Sequence, residues 1–152
     1  MSELLSGNMI KYYNYKEQMG RLKKALLYEF YLEAIFIEYA IMEDRTEAIL
    51  RYEGNECKSQ NIGKKLNKIK TISRDKKALP GKYFDDALVD RMMIWKDKRN
   101  TLIHALVKQQ LKTEELKALA EEGNELVKEL NRRSQNYKRE VERKIKKEND
   151  EV

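Results

Sequence analysis

From Glu114 to about Glu148 the apolar residues of this chain fall on one seam: Leu116, Leu119, Gly123, Leu126, Leu130, Tyr137 and Val141, close to heptad spacing. That spacing is helical, and some 35 residues rising 1.5 Å each make a rod of ~52 Å. A rod longer than a small bundle is wide obliges the rest of the chain to pack along it. Thr113 is placed to cap its start, with Glu114 and Glu115 at the positive end of the helix dipole. Its basic tail (Lys138, Arg139, Arg143, Lys144, Lys146, Lys147) is free to project, to fray or to lie on another subunit. Gly123 reads either as a point of close helix approach or as a weak spot worth about 1 kcal/mol.

The remainder is also helical in pattern. Between Met9 and Tyr52, Leu22, Leu26, Phe30, Ile37 and Ile41 mark a stripe that Leu27, Tyr31, Ile35, Tyr39 and Met42 broaden, as expected of a helix with several neighbours. Gly20 is the expected kink or split, and Gly54 the expected C-cap. Ser59 to Lys70 predicts a short amphipathic helix with lysines outward of Ile62, Leu66 and Ile69. Thr71 to Lys82 holds the one proline, Pro80, beside Gly81 and predicts a loop. Asp85 or Asp86 caps a further helix whose apolar face is Leu88, Met92, Trp95, Leu102, Leu106 and Val107, running to about Gln110. The expectation is an all-α, antiparallel helical bundle with a long C-terminal helix, one domain over residues 1–152 with 1–8 and 149–152 frayed.

Several chemistries are excluded by residue supply. With one cysteine, Cys57, there is no internal disulfide, and with one histidine, His104, there is no HExxH. Thr101 stands where a di-iron bundle needs a glutamate, and a zinc site needs more Cys and His than one of each. No glycine-rich phosphate cradle is present. No metal and no cofactor are expected. Apolar runs fall short of the ~20 residues of a membrane span, and no secretory leader is read, so a cytoplasmic chain without a membrane partner is expected.

Charge is concentrated. Lys58 to Lys82 carries nine basic residues against Asp75 alone, in a chain of net +6. Lys64, Lys65, Lys68, Lys70, Arg74, Lys76 and Lys77 form a candidate RNA-binding segment. The plainer reading is a solvated lysine-rich loop. Tyr12, Tyr13 and Tyr15, between Lys11 and Lys16, read as a dimer or core edge, or as rings that stack on bases.

The stretch RNTLIH, residues 99–104, holds the histidine. Asn100 and His104 are four apart and share a helix face. Arg99 lies about 140° around the cylinder, but its long side chain can curl back. The three can converge on one phosphate. Alternatively, Arg99 pairs with Asp97 or Asp90 and His104 is a packed or solvent-edge residue. Trp95, one turn before Arg99, reads as core support.

WKDKRNTLIHAL resembles the motif of the HEPN superfamily: an arginine, a polar residue that is often asparagine, and a histidine a few residues on. The resemblance implies a helical bundle and, in many members, a metal-independent endoribonuclease whose two copies form one composite site. Arg99 then holds the phosphate, Asn100 orients it or the histidine, and His104 transfers protons. It also implies a homodimer acting on RNA in a toxin–antitoxin or phage-defence setting, with an antitoxin protein as a further partner. Some members carry a tyrosine two positions after the histidine that a nucleotidyltransferase antitoxin modifies; Leu106 stands here, so that form of silencing is not implied. The alternative function is a non-catalytic basic helical module that binds nucleic acid or a partner protein.

Overall fold

The computed structural model describes residues 7–56, 60–75 and 78–152. Six helices follow in order: α1 (Gly7–Leu27), α2 (Tyr31–Tyr52), α3 (Ile62–Ser73), α4 (Leu79–Tyr83), α5 (Asp86–Ala105) and α6 (Thr113–Asp150). Among the described residues there is no strand, and no helix is long and apolar enough to cross a membrane. The fold is an all-α bundle with a long C-terminal helix.

The spine is α6, whose most extensive packing is on α2. The two run in the same direction: Gly123 lies against Glu38, and further along Tyr137 donates a hydrogen bond to Glu53. On its other flank α6 meets α5 head to tail, with Asp85 facing Arg133, Arg91 facing Glu129 and Lys98 facing Glu122. The first helix doubles back along α2, α3 bridges α2 and α5, and α4 sits against α3 and α6. The seam residues Leu119, Leu126, Leu130 and Tyr137 meet Ile35, Met42, Leu50, Leu88 and Trp95 in one core.

Gly123 settles its two readings in favour of close approach. A Cβ there would overlap the Glu38 carboxyl group and come within 2.8 Å of the Trp95 ring.

Helix ends show where local pattern suffices. At Gly54 (φ 76°) the Asn55 N–H donates to the Leu50 carbonyl at 2.8 Å and the Gly54 N–H to Arg51 at 3.0 Å. This double bond pattern is the expected left-handed cap. Asp85 caps α5, its Oδ1 accepting from the Leu88 N–H at 2.9 Å.

Other ends correct the sequence reading. Gly20 lies inside α1, and the break comes instead at Tyr28–Phe30. Here Glu29 takes the left-handed conformation (φ 62°), with Phe30 N–H donating to Ala25 at 2.8 Å and Glu29 N–H to Leu26 at 3.3 Å. The same cap geometry is made without glycine, so no glycine or proline announced it. Pro80 opens the short helix α4 rather than a loop, at a position where its missing N–H has no helical partner to lose. The fifth helix stops at Ala105, not near Gln110. Thr113 is the first residue of α6, after Lys112 as N-cap with no side-chain cap. Gly7, Asn8, Asn149 and Asp150 are helical, while residues 1–6 lie outside the described residues.

Two outcomes follow for stability. Gly123→Ala overpacks the α2–α6 contact and lowers unfolding free energy by about 1–3 kcal/mol, read as a lower urea midpoint; an unchanged midpoint would contradict the close approach. Glu29→Gly relieves a left-handed non-glycine residue and raises stability by about 0.5–1 kcal/mol in the same assay.

Candidate functional site

The motif helix is held from its core side. Leu88, Val89, Met92 and Trp95 of α5 are buried, and Trp95 Nε1 donates to the Leu119 carbonyl of α6 at 2.9 Å. This fixes the rotation of α5 one turn before Arg99. The Arg99 guanidinium then lies 4.0 Å from the centre of the Tyr39 ring and 5.5 Å from that of Phe36, both on α2. Its Nη1 donates to Asn100 Oδ1 at 3.1 Å. The side chain therefore does curl back toward the Asn100 side of the helix, as its length allows.

The charge on Arg99 is not neutralised. Of the two carboxylates that could have paired with it, Asp90 binds Lys70 at 2.7 Å and Asp97 binds Lys96 at 2.8 Å. No carboxylate among the described residues lies within ion-pair distance of Arg99, and its buried Nε has no hydrogen-bond acceptor. A guanidinium stacked on two rings keeps its charge while losing conformational freedom. That arrangement suits an incoming anion.

His104 sits in the last turn of α5 with its side chain exposed. No hydrogen bond joins it to Arg99 or Asn100. The structure brings Arg99 and Asn100 together and leaves His104 one turn further along, facing solvent. An apolar groove of about 600 Å3 runs between α5 and α6, lined by Ile94, Thr101, Leu102, Ala105, Leu111 and Leu119 among others. None of the three motif residues lines it.

Part of the basic segment is committed to the fold: Lys65, Lys70 and Lys82 are held in ion pairs. Lys65 is a correction: it is fully buried, with its Nζ 3.2 Å from Glu43 and 2.5 Å from Glu47. Burial pulls its pKa down, but the hydrogen bonds and charges of Glu47 and Glu43 outweigh that and leave it raised. The signal was present, because Lys65 falls three after Ile62 and four before Ile69, on the apolar stripe. Lys70 is tied to Asp90, and Lys82 to Glu140 at 3.1 Å. Lys68 is half-buried, while Lys64 and Arg74 are exposed. Cys57, Lys58, Lys76 and Lys77 lie outside the described residues.

Three residues of the site went unnoticed in the sequence. Tyr39 read as one more apolar position, and Phe36 and Glu38 carried no signal. Glu38 is fully buried beside Gly123 and Trp95, both carboxyl oxygens without a hydrogen-bond partner, and burial pushes its pKa up to about 9. Among the described residues no three Asp, Glu, His or Cys side chains gather in a way that could hold a metal ion.

No family model matches this chain, and no curated protein or solved structure is significantly similar to it.

Glu38 makes stability depend on pH. Folded, it stays a neutral acid up to about pH 9; unfolded, it ionises near its ordinary value of 4.5. Folding therefore takes up a proton between those limits, and stability falls as pH rises through them, by up to ~1.4 kcal/mol per pH unit. Glu38→Gln removes that proton uptake, so its thermal midpoint relative to the parent rises steadily from pH 5 to pH 9. Parallel curves for the two proteins would show that Glu38 is ionised in the fold.

Proposed function

We propose that this chain is a metal-independent endoribonuclease of HEPN type, acting as a homodimer with a composite site. The observation that carries the reading is the uncompensated Arg99, stacked on Tyr39 and hydrogen-bonded to Asn100 while its neighbouring acids serve other lysines. A purely structural arginine in a chain this rich in acids would be expected to take one of them.

Cleavage through the 2′-hydroxyl needs a base, an acid and a cation. The base removes the 2′ proton, and the 2′ oxygen attacks the adjacent phosphorus. The bond from phosphorus to the 5′ oxygen breaks, and that oxygen takes up a proton, leaving a 2′,3′-cyclic phosphate and a 5′-hydroxyl. One imidazole cannot be base and acid in the same step. Two copies related by a two-fold axis supply two, which places the exposed faces of α5 toward each other. His104 and His104 of the partner subunit would then share the proton transfers. Arg99 would stabilise charge building on the phosphate, and Asn100 would position it. Lys64, Lys68 and Arg74 lie on the flanking helix α3 or at its end and would draw RNA in by charge. An antitoxin partner and a role in phage defence belong to the same reading.

The test is cleavage of labelled total RNA in excess EDTA. The parent cuts; His104→Ala loses about 10²–10⁴-fold in rate and Arg99→Ala about 10²–10³-fold, both with unchanged circular dichroism. Tyr39→Leu, which removes the stacking ring, falls between parent and Arg99→Ala. If all four proteins are equally inert yet bind RNA, the non-catalytic binding module becomes the better account.

A further inference from the structure

A second groove, of about 810 Å3, lies between α1, α2 and α6. Five cations line it: Lys11, Lys16, Arg45, Arg51 and Lys138. No carboxylate does. The nearest acid in ion-pair distance is Asp44, and it is divided between Lys11 (3.0 Å) and Arg45 (2.9 Å). The groove is thus a concentrated positive surface, assembled from the first two helices and the last.

Its aromatic content is as distinctive as its charge. Tyr12, Tyr15 and Tyr52 line the same space. Tyr12 is 62 % exposed and Tyr52 is 44 % exposed, although both are large aromatic residues. Tyr15 is covered on one face by the Arg45 guanidinium, 4.5 Å from the ring centre. Three polar atoms of its lining residues, the Tyr15 hydroxyl, Arg45 Nε and Ser134 Oγ, are buried without a hydrogen-bond partner. Five cations beside two exposed aromatic rings match a ligand that is anionic and carries planar groups.

We propose that this groove binds single-stranded RNA, with bases stacked on Tyr12 and Tyr52 and phosphates held by the cations around them. Stacking requires bases that are not paired inside a duplex, so a single strand fits and a double helix does not. The site is separate from the RNTLIH face. None of Tyr39, Arg99, Asn100 and His104 lines the groove, and along α2 its nearest lining residue, Arg45, is six residues beyond Tyr39, which is ~9 Å of helix. Binding here stands whether or not the motif cuts RNA.

The test uses the full chain carrying His104→Ala, so that cleavage cannot confound binding, and a fluorescent oligouridine of about ten nucleotides. The dissociation constant rises roughly tenfold or more for Lys16→Glu with Lys138→Glu, and about tenfold for Tyr12→Leu, in line with the energy of one stacked base. Tyr12, Lys16 and Lys138 are exposed, so the fold is preserved; circular dichroism checks this. Tyr52→Leu is the second stacking variant. The same charge change at Lys112 and Lys117, at the start of α6, costs less than threefold. Affinity falls with salt with a log–log slope of roughly 3, for four to five phosphates. Unchanged affinity in both tyrosine variants would overturn the proposal, as would equal binding of a duplex or of polyglutamate, because either means that charge alone is recognised.

Discussion

The contact on which the rest of this structure depends is the approach of α6 to α2 at Gly123. There the absence of a side chain lets Glu38 and Trp95 meet beneath the helix. Trp95, thus seated, bonds the Leu119 carbonyl and fixes the rotation of α5. One turn on, that rotation carries Arg99 over Tyr39. A side chain at residue 123 would push the tryptophan, and the tryptophan would turn the motif. The neutral carboxyl group of Glu38 is the cost of this arrangement: it lies in the core with no partner for either oxygen.

Charge is distributed by the same geometry. Three of the lysines whose concentration between residues 58 and 82 is so evident are used as struts. Lys65 joins α3 to α2 through two glutamates, Lys70 joins α3 to α5, and Lys82 joins α4 to α6. A buried ammonium between two carboxylates is weak evidence of net stabilisation, since desolvation opposes the attraction, but it sets which helices lie side by side. Elsewhere Arg99 has no carboxylate partner among the described residues, and the groove between α1, α2 and α6 gathers five cations against Asp44. Neither place is where the sequence is most basic.

Element by element, the chain was readable where a signal is local. The seam of α6, the Asp85 cap and the left-handed Gly54 each depend on residues within a turn of one another. The break after α1 was not readable, because Glu29 adopts a glycine-like conformation without being glycine. Pro80 was misplaced because proline both ends helices and begins them. Thr113 had the right chemistry for a cap, one position inside the helix that it was expected to cap. Tyr39 and Lys65 were visible as residue types on a stripe, and their partners were not.

By itself the sequence determined that the fold is all-α, that one long helix organises it, and that Asn100 and His104 share a face near the end of a shorter one. These follow from a 3.6-residue period that every helix obeys whatever surrounds it. Only the tertiary structure decided that Arg99 is stacked and lacks a counter-ion, that Lys65 is buried, and that tyrosines of α1 and α2 open onto cations from three helices. Those are pairings between residues that lie on different helices. Which acid meets which base, and which ring meets which cation, is set by how helices lie against one another through space, and spacing along one helix carries no record of it.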